Sequence, residues 1–459
     1  MKYIGDRKFY KNVAKITLPI IMQNGFTFMV SFIDNIMVGK IGTEALSSVA
    51  IVNQLIFVFN VCILGIIAGA SIFGAQFHGC QDFEGVKETF RFRLTACILA
   101  SAIALLLLLC NGERFILLFL HSQNGNAETA HALLMGKEYL NIILIGLLPS
   151  AITQVYASTQ RDIGKTFLPM CASVTAVLLN TALNYILIFG KLGCPALGVK
   201  GAAIATTVAR FAECIIIAAA THIKNDDYYF VKSVFRPFRL SPLLSRKMLL
   251  KGSPLMINEM FWSLGTVIMM QCYSVRGIQV VAGINIATTI YNIFSVLYIA
   301  LGGSIAIIIG QLLGAGKMEE AKDTDRKLIF LAVASSIIMA AVIILSAPVY
   351  LQIYNTTEDV REMAVSFMYI LAVLMPVSAY IHAAFFTIRA GGSTMVTFLF
   401  DSSNLWLVNI PLAFCLTRYS SLPIVSVYFI CQSADIIKCI AGFMLVRKGV
   451  WLKKIVPDK

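Results

Sequence analysis

Three carboxyl side chains, Asp34, Glu259 and Asp401, stand inside long apolar stretches with no oppositely charged residue one helical turn away. A carboxylate in hydrocarbon is costly, so its default role is functional: to hold a cation, or to take up and release a proton. Two other acids, Glu213 and Asp435, have a basic residue three positions off, Arg210 and Lys438, and are expected to neutralise themselves as structural i,i+3 pairs. Counting ~1.5 Å per helical residue from the nearest outer charges, Lys40, Lys191 and Lys200, puts Asp34, Asn184 and Thr206 at a common depth of ~9 to 11 Å. Asn180 stands one turn deeper on the face of Asn184, because i and i+4 stack. One carboxylate, amide oxygens and a hydroxyl are the hard donors that Na⁺ takes, while protonation needs the carboxylate alone. Both coupling ions stay open. The plainer alternative makes the asparagines interhelical hydrogen-bond glue and Asp34 a satisfied structural acid.

Glu259 lies eight residues past Lys251, hence ~12 Å above the inner surface, where an unpaired acid facing a cleft would draw cationic substrates. With Asn24, Gln54, Met29 and Phe32 it makes a candidate substrate or second cation site. Met22, Met29, Met37 and Phe26, Phe28, Phe32 suit an adaptable pocket wall, although such residues also line helices throughout lipid. Pro19 removes a backbone bond from the first helix and is a candidate hinge for the segment that carries Asp34. Asp401, near the inner end of its helix, is expected in the headgroup region.

The elements that must position these groups follow from composition. Of 459 residues 58% are hydrophobic and only 13% charged, too little polar surface to clothe a water-soluble globule of this size. Apolar stretches long enough to span a bilayer, such as those around residues 98–109 and 337–345, recur at roughly 30 to 40 residue intervals and leave no room for a soluble domain. Helices are expected over 13–38, 45–75, 92–120, 133–158, 165–190, 199–222, 248–274, 280–313, 327–347, 362–388, 393–417 and 422–446. The fold class is therefore all-α integral membrane, with about twelve transmembrane helices.

The net charge of +13 reports topology. With the amino terminus inside, 27 of the 37 Lys and Arg fall on the cytoplasmic side and 8 on the other, the remaining two being Arg210 and Lys438 within helices. That is the positive-inside pattern of a multi-pass plasma-membrane protein with both termini cytoplasmic, and it removes the case for nucleic-acid binding. Eleven cysteines lie singly in apolar segments with no CxxC and no Cys/His ligand spacing, so they read as small buried hydrophobes and no cofactor is expected. The opening MKYIGDRKFYKNVAKITLPI lacks a short apolar core followed by a cleavage site, so helix 1 itself is expected to act as the insertion signal.

The second half of the chain repeats the first. At an offset of 235 the register holds without a gap from Pro19 to Arg91, setting Pro19 on Pro254, Gln76 on Gln311, Gly79 on Gly314, Glu84 on Glu319 and Lys87 on Lys322. An offset of 228 sets Arg161, Gly164 and Thr166 on Arg389, Gly392 and Thr394. Two pseudo-symmetric six-helix bundles follow: residues 1–222, a basic cytoplasmic linker 223–247, and residues 248–459. Because six is even, the halves enter the membrane in the same orientation, related by an axis along its normal. Hinged at the linker, such bundles can rock to open a cleft on alternate sides.

The residues LPIIMQNGFTFMVSFIDNIMVGKIGTEALSSVA, a proline with an aspartate fifteen positions on and then MVG, resemble the opening of the multidrug and toxic compound extrusion (MATE) family. QFHGCQDFEGVKET and its echo GQLLGAGKMEEAKDT resemble that family's loops after helices 2 and 8, RDIGKTFLPM its turn between helices 4 and 5, NTALNYILIFG its helix 5, GVKGAAIAT its helix 6 entry and SPLMINEMFWSLG its helix 7. The resemblance covers essentially the whole chain. It implies export of amphipathic, often cationic compounds in exchange for inward Na⁺ or H⁺, with an ion-binding cluster in the N-terminal lobe at Asp34, Asn180, Asn184 and Thr206. It also sets Glu259 on a glutamate implicated in cation handling in some sub-branches. One departure stands out: where many members carry an aspartate four residues after the helix 5 asparagine, this chain has Asn184, which costs the cluster one charge.

A membrane-embedded enzyme would need convergent His, Asp or Ser groups, and the five histidines, His78, His121, His131, His222 and His382, form no such local motif. A flippase for a lipid-linked substrate shares the two-lobe architecture and is the nearer alternative, but would want several cations inside its cavity, where Arg210 is the one clear N-lobe candidate. The expected partners are an amphipathic, cationic small molecule and membrane lipid, with the protein acting as a monomer.

Overall fold

The computed structural model describes residues 3–41, 43–120, 127–232, 234, 240–351 and 357–457. Fifteen α-helices occupy them: α1 Arg7–Gly39, α2 Thr43–Gly79, α3 Phe83–Leu120, α4 Ala127–Ile145, α5 Leu147–Asp162, α6 Phe167–Phe189, α7 Val199–Ile223, α8 Pro242–Ser274, α9 Ile278–Gly314, α10 Met318–Leu351, α11 Glu358–Ala390, α12 Thr394–Asn404, α13 Ile410–Tyr419, α14 Ile424–Ser433 and α15 Asp435–Arg447. A π-helical turn, Leu405–Asn409, joins α12 to α13, and no strand occurs among the described residues. Ten spans among the described residues are long and apolar enough to cross a membrane; two of them run through α12–α13 and α14–α15. The pair α4 and α5, bent by 45° across Gly146, makes an eleventh. At 33 residues α8 is ~50 Å long and also long enough, but Asn258, Glu259 and Gln271 lower its hydropathy. Counting α8 by its length alone, the described residues reach twelve, and the expected single helices 4, 11 and 12 are each interrupted.

By packing, the helices form two compact units, and the division does not fall at one point in the chain. One unit holds 18–74 and 83–249; the other holds 1–17, 75–82 and 250–459. The boundary crosses α1 between Thr17 and Leu18, two residues before Pro19. In the first unit α6 packs on α7, α3 on α5, and α4 and α5 on α7. In the second, α11 packs between α9 and α10 over a core that includes Phe367, Met375, Tyr273 and Tyr428.

The described part of the 223–247 connection is not a free tether. Phe230 is fully buried, with its ring 5.1 Å from that of Phe90, and Arg91 donates to the carbonyl of Val234 at 2.7 Å. Burying a phenylalanine contributes on the order of 2 kcal/mol, so this stretch is held against α3 as part of the first unit. Arg93, which counted as a loop charge in the topology, is also buried: it pairs with Asp162 and bonds Thr159 at 2.9 Å.

The repeat leaves a direct mark where α2 meets α9. A Cβ on Gly79 would overlap the carbonyl of Gln311, and a Cβ on Gly314 would overlap the carbonyl of Gln76. Residues matched at offset 235 thus trade places across one contact, the self-complementary pattern that a local two-fold produces. Only glycine lets the two backbones approach so closely. The Gln76 side chain then clamps the C-terminal segment, donating to the carbonyls of Ala390 and Lys453 at 3.2 Å each and accepting from the backbone N–H of Ile455 at 2.8 Å.

Candidate ion-coupling site

Helices α1, α6 and α7 of one unit bring the four expected residues together. The Asn184 amide donates to Asp34 Oδ1 at 2.8 Å. An amide atom of Asn180 lies 2.9 Å from Asp34 Oδ2; it is the nitrogen, because an oxygen would set two acceptors against each other, and the Asn180 oxygen then accepts from Thr206 Oγ1 at 3.3 Å. Asn180 and Asn184 are buried at 7% and 2% exposure, one turn apart on the face of α6 that meets α7. The carboxylate is therefore held by two neutral donors, and among the described residues no basic group pairs with it. Asn184 Oδ1 is buried without a hydrogen-bond partner, so one acceptor of the cluster stays open.

One residue of this site was missed. Tyr139 on α4 is buried and lies within the electrostatic reach of both Asp34 and Arg210. A single tyrosine among apolar residues carries no sequence signal; only the packing of α4 on α7 turns it inward. Arg210, one turn beyond Thr206, is not ion-paired with Glu213 as expected. Its Nη1 has no partner, while Glu213 has Ser173 as its hydrogen-bond partner and feels Arg161 more strongly than Arg210. Arg161 itself donates to Gln23 at 2.9 Å.

The other unit corrects two further expectations. Lys438 does not neutralise Asp435 within its own helix; it reaches across to Asp401, which also accepts from Asn258 at 2.8 Å. Asp401 is consequently an ion-paired group of low exposure, not the acid without a counter-charge that its own helix suggested. Asp435 is held instead by Asn404 at 3.0 Å and Asn409 at 2.9 Å. The π turn supplies the reason. Its extra residue sets Asn404 and Asn409, five positions apart, on one side of the helix, where they bond each other at 3.2 Å and converge on one carboxylate oxygen.

The expected substrate residues are not assembled in one unit. Glu259 lies with Arg389 and Asp401 as its nearest charges, whereas Asn24, Gln54 and Met29 belong to the unit of Asp34. Met29 is 63% exposed and Gln54 is exposed; the side chain of Phe32 lies outside the described residues.

About twelve helices in two repeats, most of them long and apolar enough to cross a membrane, with a half-buried carboxylate held by neutral donors, define a multi-pass membrane protein with the frame of a transporter. A family model described as MatE matches residues 19–186 and again 254–415, well over half of the chain, and its two matches begin 235 residues apart. The chain belongs to the MatE family. It is 24% identical over 455 residues to the "Probable multidrug resistance protein NorM" of Thermotoga maritima, covering 97% of this chain and 94% of that one. It is also 24% identical to the protein of that name from Bacillus subtilis, covering 91% and 90%. Among solved structures, the outward-facing conformation of a multidrug resistance MATE family transporter of the MOP superfamily superposes with a TM-score of 0.88 at 19% identity, over 98% of this chain and 97% of that one.

Proposed function

We propose that this protein is a multidrug efflux antiporter of the plasma membrane, with both termini in the cytoplasm. It exports amphipathic, cationic small molecules by alternating access in exchange for an inward ion, and works as a monomer. The observation that carries the reading is Asp34, held by the Asn180 and Asn184 amides with no basic side chain paired to it among the described residues. A carboxylate so held can be neutralised in two ways. Na⁺ would find one charged ligand plus neutral oxygens, Asn184 Oδ1 and Thr206 Oγ1 among them. A proton needs only Asp34, and once there it turns an acceptor into a donor, which obliges one asparagine to present its oxygen instead of its nitrogen.

With Asn184 supplying no second negative charge, H⁺ is the favoured coupling ion. Pro19, beside the point where α1 passes between units, is the hinge that would carry this local change along the helix. Glu259 serves as the acid that draws cationic substrates in the other unit. Transport of a cationic dye into inverted vesicles, with Na⁺ and pH gradients imposed separately, tests the proposal: uptake driven by the pH gradient is expected, uptake driven by Na⁺ alone would reassign the ion, and no uptake under either gradient would reject antiport.

A further inference from the structure

At the basic end of the C-terminal half a cavity of about 550 Å³ opens beside α10, α11 and α15, and the chain termini form part of its wall through Tyr3 and Trp451. Its polarity is graded. Arg326 on α10 and Arg447 at the end of α15 both line it, while Phe330 and Val333 follow Arg326 along α10 and Phe443 precedes Arg447 along α15, with Val333 ~10 Å from Arg326 along its helix. The other charges here are accounted for: Lys322 pairs with Glu319 at 2.6 Å, and Asp325 accepts from Thr387 at 2.6 Å. Among the described residues no carboxylate lies within salt-bridge distance of Arg326 or Arg447. Two guanidinium groups outside any salt bridge, Arg326 feeling only the field of the neighbouring Asp325, above an aliphatic and aromatic wall match a molecule with a phosphate at one end and hydrocarbon at the other. Guanidinium forks bind phosphate oxygens in pairs, and basic pockets between membrane helices on the cytoplasmic side hold anionic headgroups.

We propose that this cavity is a binding site for an anionic phospholipid, its phosphate between Arg326 and Arg447 and its upper acyl chain along Phe330, Val333 and Phe443. The cavity is too small for a whole lipid, so the rest of the chains continue into the bilayer, and the bound headgroup braces the segments carrying Tyr3 and Trp451. Placing the lipid in the inner leaflet rests on the topology proposed above; its binding does not, so the two can fail separately.

Native mass spectrometry of the full-length protein released from micelles containing phosphatidylglycerol or phosphatidylcholine tests the site. Wild type is expected to retain phosphatidylglycerol selectively, and the double substitution Arg326→Ala, Arg447→Ala to bind it about 30-fold more weakly, the loss expected when two cations stop meeting one anion. Val333→Trp fills the apolar end and should also release lipid with the charges intact. Should the alanine pair not fold, as read by gel filtration, Val333→Trp and the charge-keeping Arg326→Lys, Arg447→Lys pair, which should retain lipid, decide the matter. Equal retention of both lipids, wild-type affinity in the folded alanine pair or in Val333→Trp, or binding of inorganic phosphate as tight as that of phosphatidylglycerol would overturn the proposal.

Discussion

The two repeats keep one scaffold and spend their buried charges differently. At offset 228 Arg210 falls on Lys438 and Ser173 on Asp401; at offset 235 Gln23 falls on Asn258 and Asp34 on Met269. In the C-terminal half the cation has a carboxylate where the N-terminal half has a serine, so Lys438 and Asp401 neutralise each other, and Asn258 completes the shell. In the N-terminal half Arg210 Nη1 is left unpartnered, and Asp34, whose counterpart is a buried methionine, has no basic side chain paired to it among the described residues. Both halves also grip a carboxylate with two asparagines of one neighbouring helix: Asn180 and Asn184 around Asp34 by ordinary helical spacing, Asn404 and Asn409 around Asp435 by way of a π turn. The difference is the nearby cation. Asp435 shares its surroundings with Lys438, whereas among the described residues Asp34 has no basic neighbour in contact. A saturated ion pair holds packing; an unsaturated acid can exchange ions.

The comparison breaks first at Lys438. Lys438→Met leaves Asp401 buried and unpaired, and should cost about 3 to 5 kcal/mol of stability. Thermal unfolding in detergent measures it, and adding Asp401→Leu should recover much of the loss. Arg210→Met, at the matching position of the other half, should cost far less, since no carboxylate loses a salt-bridge partner there; equal losses at the two positions would erase the asymmetry. Next come the paired glycines: Gly79→Ala and Gly314→Ala each force a methyl into a carbonyl, and similar losses of about 1 to 3 kcal/mol are expected from the two because the contact is reciprocal. A large loss in one and none in the other would break the local two-fold. Last is Asn184→Asp, which sets a second carboxylate beside Asp34 in place of the amide that donates to it, and should raise the Na⁺ response of transport at a stability cost that added Na⁺ offsets. No gain in Na⁺ response would mean that helix α6 does not set ion preference.

Most of the scaffold was legible because lipid forces long apolar helices and a duplicated chain keeps its register. Asp34, Asn180, Asn184 and Thr206 could be assembled by counting depth along uninterrupted helices, which is why the four meet. Counting fails where helices break. The π turn before α13 brings Asn404 and Asn409 to one side, so their grip on Asp435 could not be read from regular spacing, and the Asp401–Lys438 pair joins two helices across 37 residues of chain. Tyr139, the buried Arg93–Asp162 pair and Phe230 against Phe90 were hidden for another reason: each is a contact between elements far apart in the chain, made by residue types equally at home on a surface.

Asp34→Asn tests the central claim most directly. The amide keeps the volume and removes the titrating charge, so the purified, folded protein in liposomes should still exchange labelled cationic substrate for unlabelled substrate across the membrane. Accumulation driven by an imposed pH gradient should fall to the background of empty liposomes. Accumulation at the wild-type rate under either a pH or a Na⁺ gradient would contradict the account and move the coupling site to another acid, with Glu259 the first to examine.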